Sequence, residues 1–236
     1  MRVRNPNIQQ LIERQIKTTF LMRREDLKRE WRPPILISRE RQSAAEEIAE
    51  RLSERLGWPL YDKNIILEIA KEIKQDPKRV EFLDERYGAK FWEYVEVLSR
   101  SPKILQEEYV LYLKRFLKVL GRMGNCIIVG RGANFVIPPS KALRIRCVGS
   151  PHGWKEILKR RYELKDEEIE KRVTEWNEEQ KQFIEKYFGA DVNDPHHYDI
   201  ILNLDYYPLE RALEIVLEAY KKKFPEFNIV DSGHRL

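Results

Sequence analysis

Apolar and polar positions follow two different periods along the chain. Near the N-terminus Ile8, Ile12, Ile16 and Phe20 recur every four residues, and Leu27 and Trp31 extend the stripe at helical spacing. Such a recurrence puts side chains on one helix face, so the stretch predicts an amphipathic helix. Arg32-Pro33-Pro34 ends it, because a residue before proline is driven out of the α region. Five short apolar runs follow: Ile35–Ser38, Pro59–Tyr61, Cys126–Gly130, Leu143–Gly149 and Asp199–Leu204. Helix-period stretches separate them, at Ser43–Leu56, Lys63–Lys74, Lys103–Arg122, His152–Tyr162, Asp166–Phe188 and Pro208–Lys222. Gly57 is placed to cap the first of these helices, where a left-handed residue is needed. Strands alternating with helices predict an α/β fold with a five-stranded parallel sheet and helices on both faces. The expected division is a helical arm over 1–34, the α/β domain over 35–225 and a tail over 226–236.

Composition narrows the picture. The chain has 236 residues, 42% hydrophobic and 35% charged, with a mean hydropathy of −0.62. It predicts a soluble protein with a sizeable core, and no apolar run reaches the ~20 residues of a membrane span. The first ten residues, MRVRNPNIQQ, lack a secretory apolar segment, and cytoplasmic residence is expected. Cys126 and Cys147 fall inside strand runs, which predicts buried free thiols rather than a disulfide or a metal pair. The net charge of +5 is uneven: residues 1–34 hold nine Lys/Arg against four Asp/Glu, leaving 35 of each in the remainder. The body therefore carries no net attraction for nucleic acid. The aromatic residues Tyr87, Phe91, Trp92, Tyr94, Tyr109, Tyr112 and Phe116 read as core or interface packing. His196-His197 lacks a further ligand at metal spacing, and no metal site is expected.

The stretch 35–49, ILISRERQSAAEEIA, carries the candidate chemistry. A strand turning into a helix is the layout of a phosphate-binding loop, where backbone N–H groups cradle an anion. A working loop needs glycines for close approach and a cation for the phosphates. Here Arg41, Gln42, Ala44 and Ala45 form the turn, and Glu46 stands where a cation would be expected. Ser43-Ala44-Ala45-Glu46 predicts a capping box, with the helix end served by a carboxylate of the protein itself. The same residues also fit an ordinary strand–helix unit.

The order of elements and four motifs resemble the cytidylate-kinase-like family of P-loop nucleoside monophosphate kinases. The motifs are ILISRE, EEIAERLSERLGWPLYDKNII, NCIIVGRGANFVI and YFGADVNDPHHYDIILNLD, and the likeness extends over 35–220. The resemblance implies a glycine-rich loop and a basic residue where this chain has Gln42, Ala44, Ala45 and Glu46. It implies a lid helix near Trp176–Phe183 carrying an acidic residue and arginines, where this chain reads Asn177, Glu178, Glu179, Gln180 and Lys181. Lys159, Arg160 and Arg161 fall where that lid begins, a cluster that also suits a solvated helix face. It further implies a monophosphate contact for Arg131; pairing with a nearby carboxylate is the equal alternative. Asp62 ends the second strand at the edge where open sheets bind ligands, and it equally suits the N-cap of the next helix.

Arginine clamps contribute orders of magnitude to phosphoryl transfer. The expectation is therefore a family member that has lost that activity, with no catalytic residue and no cofactor. It would act as a structural or regulatory subunit docking through its arm on a protein partner or a second copy. The alternative is an active CMP-type kinase using ATP and Mg²⁺, with Arg39 or Arg41 supplying the missing cation. The basic arm also allows salt-sensitive nucleic-acid binding, but no base-reading motif accompanies it.

Overall fold

A computed structural model describes residues 30–62, 106–150, 153 and 155–227. The arm positions Ile8, Ile12, Ile16, Phe20 and Leu27, the helix expected at Lys63–Lys74 and the aromatics Tyr87, Phe91, Trp92 and Tyr94 lie outside the described residues. So do the side chains of Tyr109, Tyr112 and Arg161.

The five apolar runs form five strands: β1 (Ile35–Arg39), β2 (Leu60–Tyr61), β3 (Ile127–Val129), β4 (Leu143–Val148) and β5 (Ile200–Asn203). They make one parallel sheet in the order β2-β3-β1-β4-β5. The described helices are α1 (Ala45–Leu56), α2 (Gln106–Met123), α3 (Lys155–Tyr162), α4 (Ile169–Phe188) and α5 (Leu209–Lys223). Among them no helix is long and apolar enough to cross a membrane.

Central β1 is buried along its whole length: its first three residues, Ile35, Leu36 and Ile37, read as an apolar run without alternation, and Ser38 and Arg39 at its carboxyl end are buried polar groups. Ile48, Ala49 and Leu52 of α1 and Leu213, Val216 and Leu217 of α5 pack into the same core. Gly57 ends α1 at φ +62 and donates its N–H to Ser53 O, as its cap position predicts. Cys126 and Cys147 are free and buried. Burial pushes both thiols up, that of Cys147 to about 12, so neither is a thiolate near neutrality.

Because the strands are parallel, their carboxyl ends share one edge, and β1 lies between strands whose connections leave in different directions. That is where open α/β sheets place ligands. The opposite edge clamps the chain as it enters β1. Arg32 N–H donates to Asn125 Oδ1 at 2.6 Å, Asn125 N–H returns a bond to Arg32 O at 2.8 Å, and Tyr220 OH donates to Pro33 O at 2.8 Å. Trp31 stacks edge-on against Phe227 at 5.6 Å. The last residue of the stripe thus packs on its own domain, at the edge remote from the loop after β1.

Candidate functional site

The loop after β1 is built from side chains. Glu40 N–H continues the β1–β4 ladder by donating to Cys147 O at 2.9 Å. Ser43 then closes a turn on Glu40 O, donating through its N–H at 3.1 Å and its hydroxyl at 2.8 Å. The expected capping box therefore does not form. Ala44 occupies the N-cap without a side-chain cap bond, and Glu46 turns to Arg39. The physical reason is charge: Arg39 is buried, and a buried guanidinium without a counter-ion costs far more than a missing cap. Arg39 Nε donates to Glu46 Oε1 at 2.5 Å, with the two side chains 10% and 14% exposed. Burial works against the Arg39 charge, but the Glu46 carboxylate outweighs it and holds the guanidinium above its ordinary pKa.

On the other face of β1, Ser38 lies in register with Arg146 of β4. Arg146 is 4% exposed. Its guanidinium donates to Ser38 Oγ at 3.1 Å and to Asn193 Oδ1 at 2.8 Å, stands 3.9 Å from Glu40 Oε1 and lies over the Tyr198 ring at 5.7 Å. Sequence reasoning passed over Arg146, Glu40 and Asn193. The signal present was the period-two pair Arg144 and Arg146 in an otherwise apolar strand, which puts two cations on one sheet face.

Helix α4 reaches this loop through Asn177. Asn177 Nδ2 donates to Gln42 Oε1 at 2.9 Å, and Asn177 Oδ1 accepts the Arg41 N–H at 3.3 Å. Gln42, 7% exposed, donates in turn to Glu40 Oε2 at 2.9 Å, which also accepts the Gly149 N–H at 3.3 Å. A cleft of about 340 Å³ opens beside these contacts, lined by Glu40, Arg146, Asn177, Gln180, Lys181 and Asn193 among others. Gln180 and Lys181 line the same cleft as Asn177. Arg160 does not line the cleft; it is exposed on α3. Lys159 pairs with Glu156 and Asp166 at the surface.

The turn after β3 is built from backbone. Gly130, Arg131 and Gly132 take φ of +71°, +56° and +72°. A non-glycine residue there costs about 1–2 kcal/mol, and such strain collects at functional positions. Both glycines face close neighbours: a Cβ on Gly130 would stand 2.7 Å from the Arg39 guanidinium, and one on Gly132 would stand 2.3 Å from the Phe188 ring. Asp62, half-buried at the end of β2, adds to the field that raises the Arg39 pKa. The helix it was expected to cap lies outside the described residues.

His196 and His197 serve a local turn. Asp194 accepts from the His196 N–H at 3.0 Å and lies 2.7 Å from His196 Nδ1, and His197 stacks edge-on against Phe135 at 5.0 Å. Among the described residues no group of His, Cys, Asp and Glu is arranged to hold a metal ion.

Comparison with known proteins places this geometry. The crystal structure of an uncharacterized protein from Eubacterium ventriosum ATCC 27560 is similar, with a TM-score of 0.61 at 19% identity over 81% of this chain and 99% of that one. At that identity the likeness shows the fold. No curated protein matches. The signature of the cytidylate kinase-like family matches residues 34–206, covering the whole sheet and the helix α4, and the chain belongs to that family.

Proposed function

We propose that this chain is a member of the cytidylate kinase-like family that does not transfer phosphoryl groups and serves as a structural or regulatory subunit. One observation carries the reading: the groups at the loop after β1 are committed to the chain's own side chains. Arg39 is spent on Glu46, and the Arg41 N–H and the Gln42 amide are spent on Asn177. A nucleotide triphosphate needs bare amides and uncompensated cations at that place. Ala44 and Ala45, both fully buried, add Cβ atoms where the family resemblance implies glycine. These residues do not fit ATP with Mg²⁺, and no reaction step follows from them. A coupled ADP-release assay across the nucleoside monophosphates, with ATP and Mg²⁺, tests the reading. Background rates are expected throughout, and robust turnover of any acceptor would sink it.

The active-kinase reading draws on one feature, the strained Gly130-Arg131-Gly132 turn, where the family resemblance implies that Arg131 contacts the acceptor phosphate. Calorimetry with CMP alone separates the two: CMP binding without ATP binding describes a retained acceptor pocket without catalysis.

The docking half of the proposal rests on the arm. An isolated amphipathic stripe gains little in water, so Ile8, Ile12, Ile16 and Phe20 call for a partner surface on another protein or a second copy. Ile12→Asp with Ile16→Asp in the full chain is expected to lower the sedimenting mass of that assembly. Unchanged sedimentation would reject the docking role.

A further inference from the structure

We propose that Gln42 and Asn177 form a latch that holds helix α4 on the loop after β1 in the resting protein, so that closure is built into the chain and needs no bound nucleotide. The inference rests on reading α4 as the counterpart of a kinase lid.

Both ends of both primary amides are used at this one junction. Asn177 donates to Gln42 and accepts from the Arg41 N–H; Gln42 accepts from Asn177 and donates to Glu40. Glu40 accepts from Gly149 beyond β4 and lies near buried Arg146, so polar contacts run unbroken from α4 through the loop to the sheet. The chemistry of the pair matters. A lid that closes with arginines brings cations together and needs an anion to hold them there. Two neutral amides complement each other and leave no charge to be neutralised, so they hold equally well with the site empty of anions. The low exposure of Gln42 strengthens the bonds and makes an unpaired amide there unfavourable. Next to the latch, Trp176 stacks on Tyr162 at 4.7 Å, and Leu158, Ile169 and Val173 join α3 to α4. The apolar cluster fixes the start of α4, and the amide pair fixes its middle.

Hydrogen exchange read by mass spectrometry on the full-length protein tests the latch, following 170–188 against β1 and β4. Asn177→Ala is expected to speed exchange in 170–188 by about 2- to 10-fold, the equilibrium worth of one such bond. Gln42→Ala should do the same, the double variant should add little to either, and β1 and β4 should not change. Asn177→Asp covers the case in which Asn177→Ala unfolds. It keeps an acceptor for the Arg41 N–H but sets a carboxylate against Gln42 Oε1, and the same local speeding is expected. Exchange in 170–188 unchanged by Asn177→Asp would overturn the latch. So would slowing of that segment in the wild-type protein by ATP with Mg²⁺, because a lid that a nucleotide closes rests open. Turnover in the ADP-release assay would sink the non-catalytic reading yet leave the exchange result standing; an absent latch without turnover would do the reverse.

Discussion

The turns that leave β1 and β3 stand side by side at one edge of the sheet. After β1 the chain runs through Gln42, Ser43, Ala44 and Ala45, and side chains make the contacts: Gln42 to Glu40 and Asn177, Ser43 to Glu40, Glu46 to Arg39. After β3 it runs through Gly130, Arg131 and Gly132 in three successive left-handed conformations, and bare Cα atoms admit Arg39 and Phe188. Glycine retained at a turn is easily taken as a sign of ligand binding. Here positive φ and close packing account for both glycines without a ligand. Moreover, the residue that packs on Gly130 is Arg39, the same one that Glu46 neutralises. The two turns are therefore one mechanical unit, and a change at either should be felt at the other.

The largest effect is expected where that unit is joined. Glu46→Ala leaves Arg39 buried without its counter-ion and should lower unfolding stability by about 3–5 kcal/mol in urea titrations. The double replacement Arg39→Met with Glu46→Leu should lie within about 1 kcal/mol of the wild type. If it is as damaged as the single variant, the pair itself is not what joins the turns.

Next comes the backbone-built side. Gly132→Ala would force a side chain onto φ +72 and against the Phe188 ring. A loss of about 2–4 kcal/mol should follow, partly recovered by adding Phe188→Leu. Full stability for Gly132→Ala would mean that the turn has another shape.

Arg131→Gly should act in the opposite direction. It removes the left-handed strain at φ +56 along with the contacts of the side chain, and a net gain of up to about 1 kcal/mol is expected where the strain outweighs them. Calorimetry on the same variant shows whether the strain serves a ligand: any CMP binding by the wild type should disappear. A loss of stability instead would give the guanidinium structural contacts that outweigh its strain.

The smallest effect lies at the far edge of the sheet and serves as a control on both turns. Asp199 accepts the Arg144 N–H at 2.8 Å and bonds the Arg144 and Lys223 side chains. Burial alone would raise its carboxyl, but those bonds prevail and hold it below the ordinary aspartate range. A depressed folded pKa contributes stability above the unfolded value, about 4, and that contribution is lost as pH falls through the folded value. Asp199→Asn should therefore flatten the acid limb of the stability curve below about pH 4, changing neutral-pH stability by less than about 1 kcal/mol. It should leave exchange in 170–188 untouched. An acid limb identical to the wild type's would remove Asp199 from the account.

The fold was legible because its signal is local. The start of β1, buried on every side, is apolar without alternation, and α1 must show a helical stripe and stop at a glycine, so both can be read without knowing what they touch. The identity of the loop residues was equally plain, and Asn177 stood out on α4 for the same reason. Their partners were not legible. Ser43 and Glu46 have the spacing of a capping box, worth about 1 kcal/mol, but Glu46 also lies within reach of a buried guanidinium whose need is several times larger. Arg146 was hidden because a charged residue in a strand announces burial only once the neighbouring strands are known.

By itself, then, the sequence determined which segments become strands and helices, and that the β1 loop carries amides, alanines and a carboxylate. Tertiary structure decided what those groups do. Gln42 and Asn177 are 135 residues apart in the chain, and only the α/β arrangement brings them to 2.9 Å. Periodicity along the chain reports the burial of each element, whereas the choice among competing hydrogen bonds and ion pairs depends on distances and desolvation that exist only after the elements have packed.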